Sequence, residues 1–431
     1  MINNRHLIEN SFLNERYIKL EHSSGLTIFL IKKDMSTSYA ILATDFGSMN
    51  NAFVDNGELI TLPDGVAHFL EHKMFEEPDG SDAFERFSQF GGSANAYTTF
   101  DKTCYLFSCT DYIYDNLEIL LDFVSTPAFN ESSIEKEKGI ISQEISMGDD
   151  DPNRVVFNNM LSAMYFNSPI KIDVAGSVES ISKIDSEILY KIYNRFYSPS
   201  NMALCLCGSF EEDAVIELCD KYFVINENNR DFNDKSIDFE EPIEIKEKKI
   251  ISRMLVAQPL FSIGFKGKII TDSLELTKKS LSVSLATKTI FGRSSDFFEK
   301  YYASGLINKS FSVSNYAIRN HLFGVVDGTA PDPKGIYKEI LNEIENVRIN
   351  GINSDDFERA KKSLYSNMLM SFDSTEEIAN NFVSFVFEKE DFFDYIQLII
   401  DITVDDAYND FIELYQEEFS VISIVEKNNY N

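Results

Sequence analysis

At 431 residues the chain is too long for one ordinary hydrophobic core and points to two large domains or three smaller ones. Its hydrophobic content of 44% is that of a globular protein, and no apolar run reaches the ~18 residues that span a bilayer, which argues against a membrane span. A formal net charge of -31 argues strongly against nucleic acid as a partner, because phosphate contacts need a basic face.

The same charge fits either a soluble surface or an acidic chamber that draws in basic peptides. Residues 1–33 lack the uninterrupted apolar segment of a signal peptide, so a cytoplasmic location is expected. The five cysteines, Cys104, Cys109, Cys205, Cys207 and Cys219, form neither a C-x-x-C motif nor an even disulfide set and read as reduced core residues. Cys205 and Cys207 alternate along one apolar run, which places both on the same side of a strand.

In chain order, 17–22, 26–32 and 37–46 read as three strands, with Ser23-Ser24-Gly25 turning the first pair. A loop then runs to Pro63, where Asp64 is placed to cap a helix that carries His68, Glu71 and His72. A short helix from about Ser81 stops at Gly91-Gly92. Segments 93–99 and 103–109 form a hairpin. Helices follow over 111–124 and, after the N-cap Asn130, to Met147. Further helices are expected over 154–166 and 186–197, a core strand from Met202, and a helix over 211–222.

Residues 226–249 turn polar without apolar periodicity and read as an interdomain linker. The second half repeats the coarse order of the first: a strand over 261–265, helices through Ile290, strands within 306–323, more helices and a last strand over 420–425. The expected fold class is α+β, with two related domains, each a mixed sheet with helices on one face, over 1–225 and 250–431.

The chemistry gathers at His68-Phe69-Leu70-Glu71-His72. Residues at i, i+3 and i+4 share a helix face, so His68 and His72 can hold one metal with Glu71 beside it. Chance alone gives this pattern on the order of 0.01 times in such a chain. The bland alternative is two surface histidines on an amphipathic helix. A hydrolytic zinc site needs a third protein ligand and an open fourth position for water. Glu137 and Glu144 lie seven apart, hence about 20° apart around one helix, and Glu144 is the expected third ligand. Glu71, unligated, is left to take a proton from the water and pass it to the leaving amine. The second half holds a single histidine, His321, read as structural, and cannot repeat this site.

This H-x-x-E-H resembles the inverted zinc motif of the pitrilysin/insulinase peptidases, whose histidines are followed about 70 to 80 residues on by a glutamate, itself preceded by another seven earlier. By that likeness Glu144 is the ligand and Glu137 a supporting carboxylate behind the histidines. The runs Gly91–Thr98, Glu137–Ile145 and Tyr197–Met202 are also similar to the family. In the family the Asn-Ala strand is a sheet edge to which substrate adds as a strand, which implies substrate contacts at Asn95 and Ala96. An ordinary hairpin strand is the alternative there. The wording around the motif is most similar to short bacterial members, of the YmfH and AlbF kind, which work in pairs. Larger relatives carry an arginine and a tyrosine, seven apart, in the noncatalytic half; the matching positions here are Tyr301 and Asn308.

The resemblance therefore implies a zinc endopeptidase, with Zn2+ as cofactor, acting on peptides inside a chamber closed by two chains, in peptide maturation or degradation. A homologous subunit lacking H-x-x-E-H is the expected partner, with a homodimeric oligopeptidase or a noncatalytic scaffold as alternatives.

Overall fold

The structure, a computed structural model, describes residues 1–11, 13–55, 57–223, 239–387 and 391–428. The described chain divides into two compact units.

The first unit is built on seven strands: β1 (Ile2–Asn10), β2 (Glu15–His22), β3 (Thr27–Lys32), β4 (Ser38–Thr44), β7 (Ser93–Thr98), β8 (Thr103–Cys109) and β9 (Met202–Gly208). A separate small hairpin, β5 (Ala52–Asp55) and β6 (Glu58–Thr61), precedes the first helix. The sheet order is β1-β2-β3-β9-β4-β8-β7, parallel at β3 and β9 and antiparallel elsewhere. Alternation along each strand gives the sheet two apolar faces. Ile28, Leu30, Ala40 and Leu42 enter the main core with α1 (Val66–Met74), α2 (Ala83–Gln89) and α3 (Ile113–Ser125). The fourth helix, α4 (Glu131–Asp149), buries Ile134, Ile141 and Ile145 in that core.

Tyr17 and Phe29 point to the opposite face, where Phe382 packs edge-on to Tyr17 with ring centroids 4.7 Å apart. Phe382 belongs to the helix Thr375–Val386, which comes from the far end of the sequence.

The second unit has a five-stranded sheet, β10 (Lys249–Met254), β11 (Leu260–Lys266), β12 (Ser312–Ile318), β13 (His321–Thr329) and β14 (Ser420–Lys427), in the order β10-β14-β11-β13-β12, with β10 and β14 parallel. One face packs its core against helices that include Ser273–Phe291 and Pro333–Asn350. The other takes α5 (Pro152–Met164), a helix from the first half of the sequence, whose Met160 and Met164 fill the space over Gly264. His321 is buried beside Tyr165, ring centroids 5.4 Å apart, and burial pushes its pKa down to about 4.

The α+β reading with mixed sheets holds, with four corrections of detail. Each sheet carries helices on both faces, because the second face is covered by one helix from the other half of the chain. For the same reason the compact units are not the contiguous blocks 1–225 and 250–431. The first comprises the described residues of Met1–Ile145, Asp173–Ile237 and Leu369–Phe392; the second those of Ser146–Ile172, Asp238–Met368 and Phe393–Asn431. The expected linker 226–249 lies outside the described residues over 226–238. Its remainder is docked: the Glu241 carboxylate accepts N–H groups of Phe166, Asn167 and Ser168 at 2.7–2.9 Å and pairs with buried Lys266 at 2.6 Å. Finally, α1 is not capped by Asp64. It starts after Gly65, which holds φ 86° with no side-chain cap and packs so closely on Ala175 that a Cβ would meet the carbonyl oxygen at 2.3 Å.

Candidate metal centre

Two helices and one strand of the first unit build the site. Helix α1 turns Val66, Ala67, Phe69, Leu70 and Met74 into the core, which leaves His68 and His72 together on its remaining face, ring centroids 4.6 Å apart. Burial of Ile134, Ile141 and Ile145 fixes the roll of α4, so that Glu137 and Glu144 look along one flank toward those rings. His68 Nε2 lies 3.6 Å and His72 Nε2 3.7 Å from the two oxygens of Glu144. Among the described residues, His68, His72 and Glu144 form the one group of three whose ligand atoms all lie within 4.8 Å of one another.

The donor set fits a metal ion. With bonds of ~2.0–2.2 Å a tetrahedral ion spaces its ligand atoms about 3.4 Å apart, close to the carboxylate distances here. The tautomer also fits. His72 Nδ1 is 3.0 Å from Glu137, which, as acceptor, holds a proton on Nδ1 and leaves the Nε2 lone pair facing Glu144. Burial works against a charged His72, yet the hydrogen bond and charge of Glu137, with Glu71 and Glu144 nearby, raise its pKa above the ordinary histidine value.

Glu71 lies about one turn after His68 and directly before His72, and is 8% exposed. Its carboxylate accepts from Thr98 Oγ1 at 2.5 Å. Burial chiefly raises its pKa above the usual glutamate value, and the Glu144 charge adds to this, while Thr98 and His72 pull the other way. Thr98 had no role in the sequence reading. The signal was present in the alternation of β7, which puts Ala94, Ala96 and Thr98 on the face toward α1.

Strand β7 is the outer strand of its sheet and, among the described residues, pairs only with β8. Thr99 N–H bonds Lys102 O at 2.8 Å and closes the hairpin, so the ladder alternates from there. Asn95 pairs inward with Leu106, and the backbone groups of Ala94, Ala96 and Thr98 face the open edge. The Ala96 N–H is held by Asn95 Oδ1 at 3.0 Å. Of the expected pair, then, Ala96 offers the edge backbone and Asn95 a side chain lying across it.

In the second unit, the Tyr301 hydroxyl bonds Glu339 at 2.5 Å, and Asn308 Nδ2 bonds Thr329 Oγ1 at 2.7 Å. Both polar groups are thus engaged locally. All five cysteines are buried free thiols, and among the described residues no helix is long and apolar enough to cross a membrane.

Comparison with known proteins agrees with this geometry. Residues 29–177 match the model of the Insulinase (Peptidase family M16) domain, and residues 183–364 match that of the Peptidase M16 inactive domain. The uncharacterized zinc protease YmfH of Bacillus subtilis is 37% identical over 423 residues, 96% of each chain. An M16-like peptidase from Alicyclobacillus acidocaldarius superposes with a TM-score of 0.92 at 33% identity, covering 98% of this chain and all of that one. A protease from Helicobacter pylori shares the fold, with a TM-score of 0.82 at 17% identity over 96% of this chain and 99% of that one. With both domain models matched in order and a relative aligned along nearly its whole length, the chain belongs to the insulinase family, peptidase family M16.

Proposed function

We propose that the chain is a zinc-dependent endopeptidase, the catalytic subunit of a heterodimer that cleaves peptides in the cytoplasm. The observation that carries this reading is the convergence of His68, His72 and Glu144 on one point with Glu71 buried alongside. In it, His68, His72 and Glu144 hold Zn2+, and Glu137 keeps His72 in the ligating tautomer. The ion, when bound, supplies a Lewis acid that acidifies water and polarises a carbonyl.

The chain's own residues do the rest. Substrate lies along the free edge of β7, where Ala94, Ala96 and Thr98 present alternating donors and acceptors and Asn95 adds a side-chain contact. Glu71 takes a proton from the attacking water and hands it to the leaving amine; Thr98 holds the carboxylate in place for both transfers. The five buried thiols fit a reducing compartment. The engaged side chains of Tyr301 and Asn308 support a partner that supplies the groups stabilising the oxyanion. A preparation of this chain alone with full peptide turnover would rule that partner out in favour of a homodimer.

The replacement Glu71→Gln tests the chemistry. Zinc is expected to stay bound while peptide cleavage by the assembled enzyme falls about 10²-fold or more. Unchanged cleavage would leave the chain a scaffold.

A further inference from the structure

Directly after the ligand position His72 stands Lys73, whose side chain is 1% exposed. A lysine so deeply buried is rare unless its ammonium is fully partnered. Here the partners are specific. Lys73 Nζ pairs with Glu76 just beyond the end of α1 and donates to Ser133 Oγ, in the first turn of α4, at 2.9 Å. The second oxygen of Glu76 accepts from Asn130 Nδ2 at 3.0 Å, and Asn130 Oδ1 in turn accepts the Ser133 N–H at 2.9 Å. The Ser133 hydroxyl itself donates to the Asn130 carbonyl at 3.0 Å.

This network closes a ring between the C-terminal end of α1 and the N-terminal end of α4, the two helices that carry the metal-binding side chains. The charges suit the helix ends: an ammonium lies at the C-terminus of α1 and a carboxylate beside the N-terminus of α4. Ser133 is one turn before Glu137 on the same stripe of α4, and Glu144 lies two turns further on. Whatever fixes Ser133 against Lys73 therefore fixes how far along α1 both carboxylates fall.

Resting on the zinc-centre reading above, we propose that the Lys73–Glu76–Ser133 bridge is a positioning device that sets the register of α4 on α1 and thereby preorganises His68, His72 and Glu144 for the ion. Lys73 touches neither ion nor substrate. An apolar side chain of similar length fills its volume but leaves one oxygen of Glu76 and the Ser133 hydroxyl without the Lys73 donor, so that the Glu76–Asn130 bond alone joins the two helix ends and α4 loses its anchor one turn from Glu137.

The test compares the full chain with Lys73→Met, Ser133→Ala and Ser133→Thr. It uses zinc affinity by competition with a chromophoric chelator and the visible spectrum of the cobalt(II) form, which reports ligand geometry. Wild type and Ser133→Thr, which keeps the hydroxyl, are expected to bind one zinc alike. Lys73→Met is expected to bind about tenfold to a hundredfold more weakly. Ser133→Ala falls between them, and both weakened variants show altered cobalt bands. If Lys73→Met does not fold, Ser133→Ala decides alone. Wild-type affinity and spectrum in the folded variants would overturn the positioning role and leave the zinc centre standing. Failure of wild type itself to bind zinc would remove the centre and this role with it.

Discussion

Glu71 is the residue whose surroundings say most about its use. A carboxylate at 8% exposure needs partners, and Thr98 Oγ1 is the neutral donor given to it. That bond fixes one of its two oxygens. Thr98→Val keeps the shape and removes the donor. We expect peptide turnover to fall roughly tenfold with zinc content unchanged, since a hydrogen bond to a charged group contributes ~1.5–3 kcal/mol. Turnover equal to wild type would show that packing alone aligns Glu71. At this scale the sequence was highly legible. His68, Glu71 and His72 are local on one helix, and Glu137 and Glu144 share one stripe of another, so periodicity alone places each set. Thr98 and the Lys73 bridge were not, because which side chains meet across elements depends on the roll and register of helices that only packing decides.

Among the elements, β7 is central because its outer edge takes no strand among the described residues. The alternation of the ladder separates two neighbouring residues: the Asn95 backbone pairs with Leu106 inside the sheet, and the Ala96 backbone faces the outer edge, with its N–H held by Asn95 Oδ1. Ala96→Pro therefore removes an edge donor without touching the ladder. We expect kcat/KM for peptides to drop about tenfold with little change in Tm, whereas Asn95→Pro breaks a ladder bond and lowers Tm by several degrees. Equal activity in the Ala96→Pro protein would exclude strand addition there. Elements with continuous apolar runs bounded by turn residues, such as β3, β4, β8 and β9, lay within a residue or two of their expected positions. Three others were missed. Strand β1 is almost wholly exposed and the β5–β6 hairpin is short; β10 alternates in burial, but its residue types do not follow, since Ile251 is exposed and Ser252 half-buried, so none shows a two-residue hydrophobic period in sequence.

For the molecule as a whole, the exchange of helices is what sequence could not reveal. The helix Thr375–Val386 covers a face of a sheet whose strands lie more than 160 residues earlier, and α5 covers one whose strands begin far downstream. Both helices have ordinary amphipathic patterns, and nothing in such a pattern says which sheet receives it. A physical consequence follows for residues 1–225 produced alone: the side of the sheet with Tyr17 and Phe29 loses its cover. We expect this fragment to be aggregated or molten, and to become soluble and bind zinc when co-produced with 226–431. A 1–225 fragment that folds unaided with full zinc affinity would show that the borrowed helix is dispensable.

The triad itself is tested most directly by calorimetric titration of zinc into the metal-free full chain, in parallel with His72→Ala, Glu144→Ala and Glu71→Gln. We expect one tight site in wild type and in Glu71→Gln, and its loss in the other two. Undiminished tight binding in His72→Ala or Glu144→Ala would contradict the assignment of the centre.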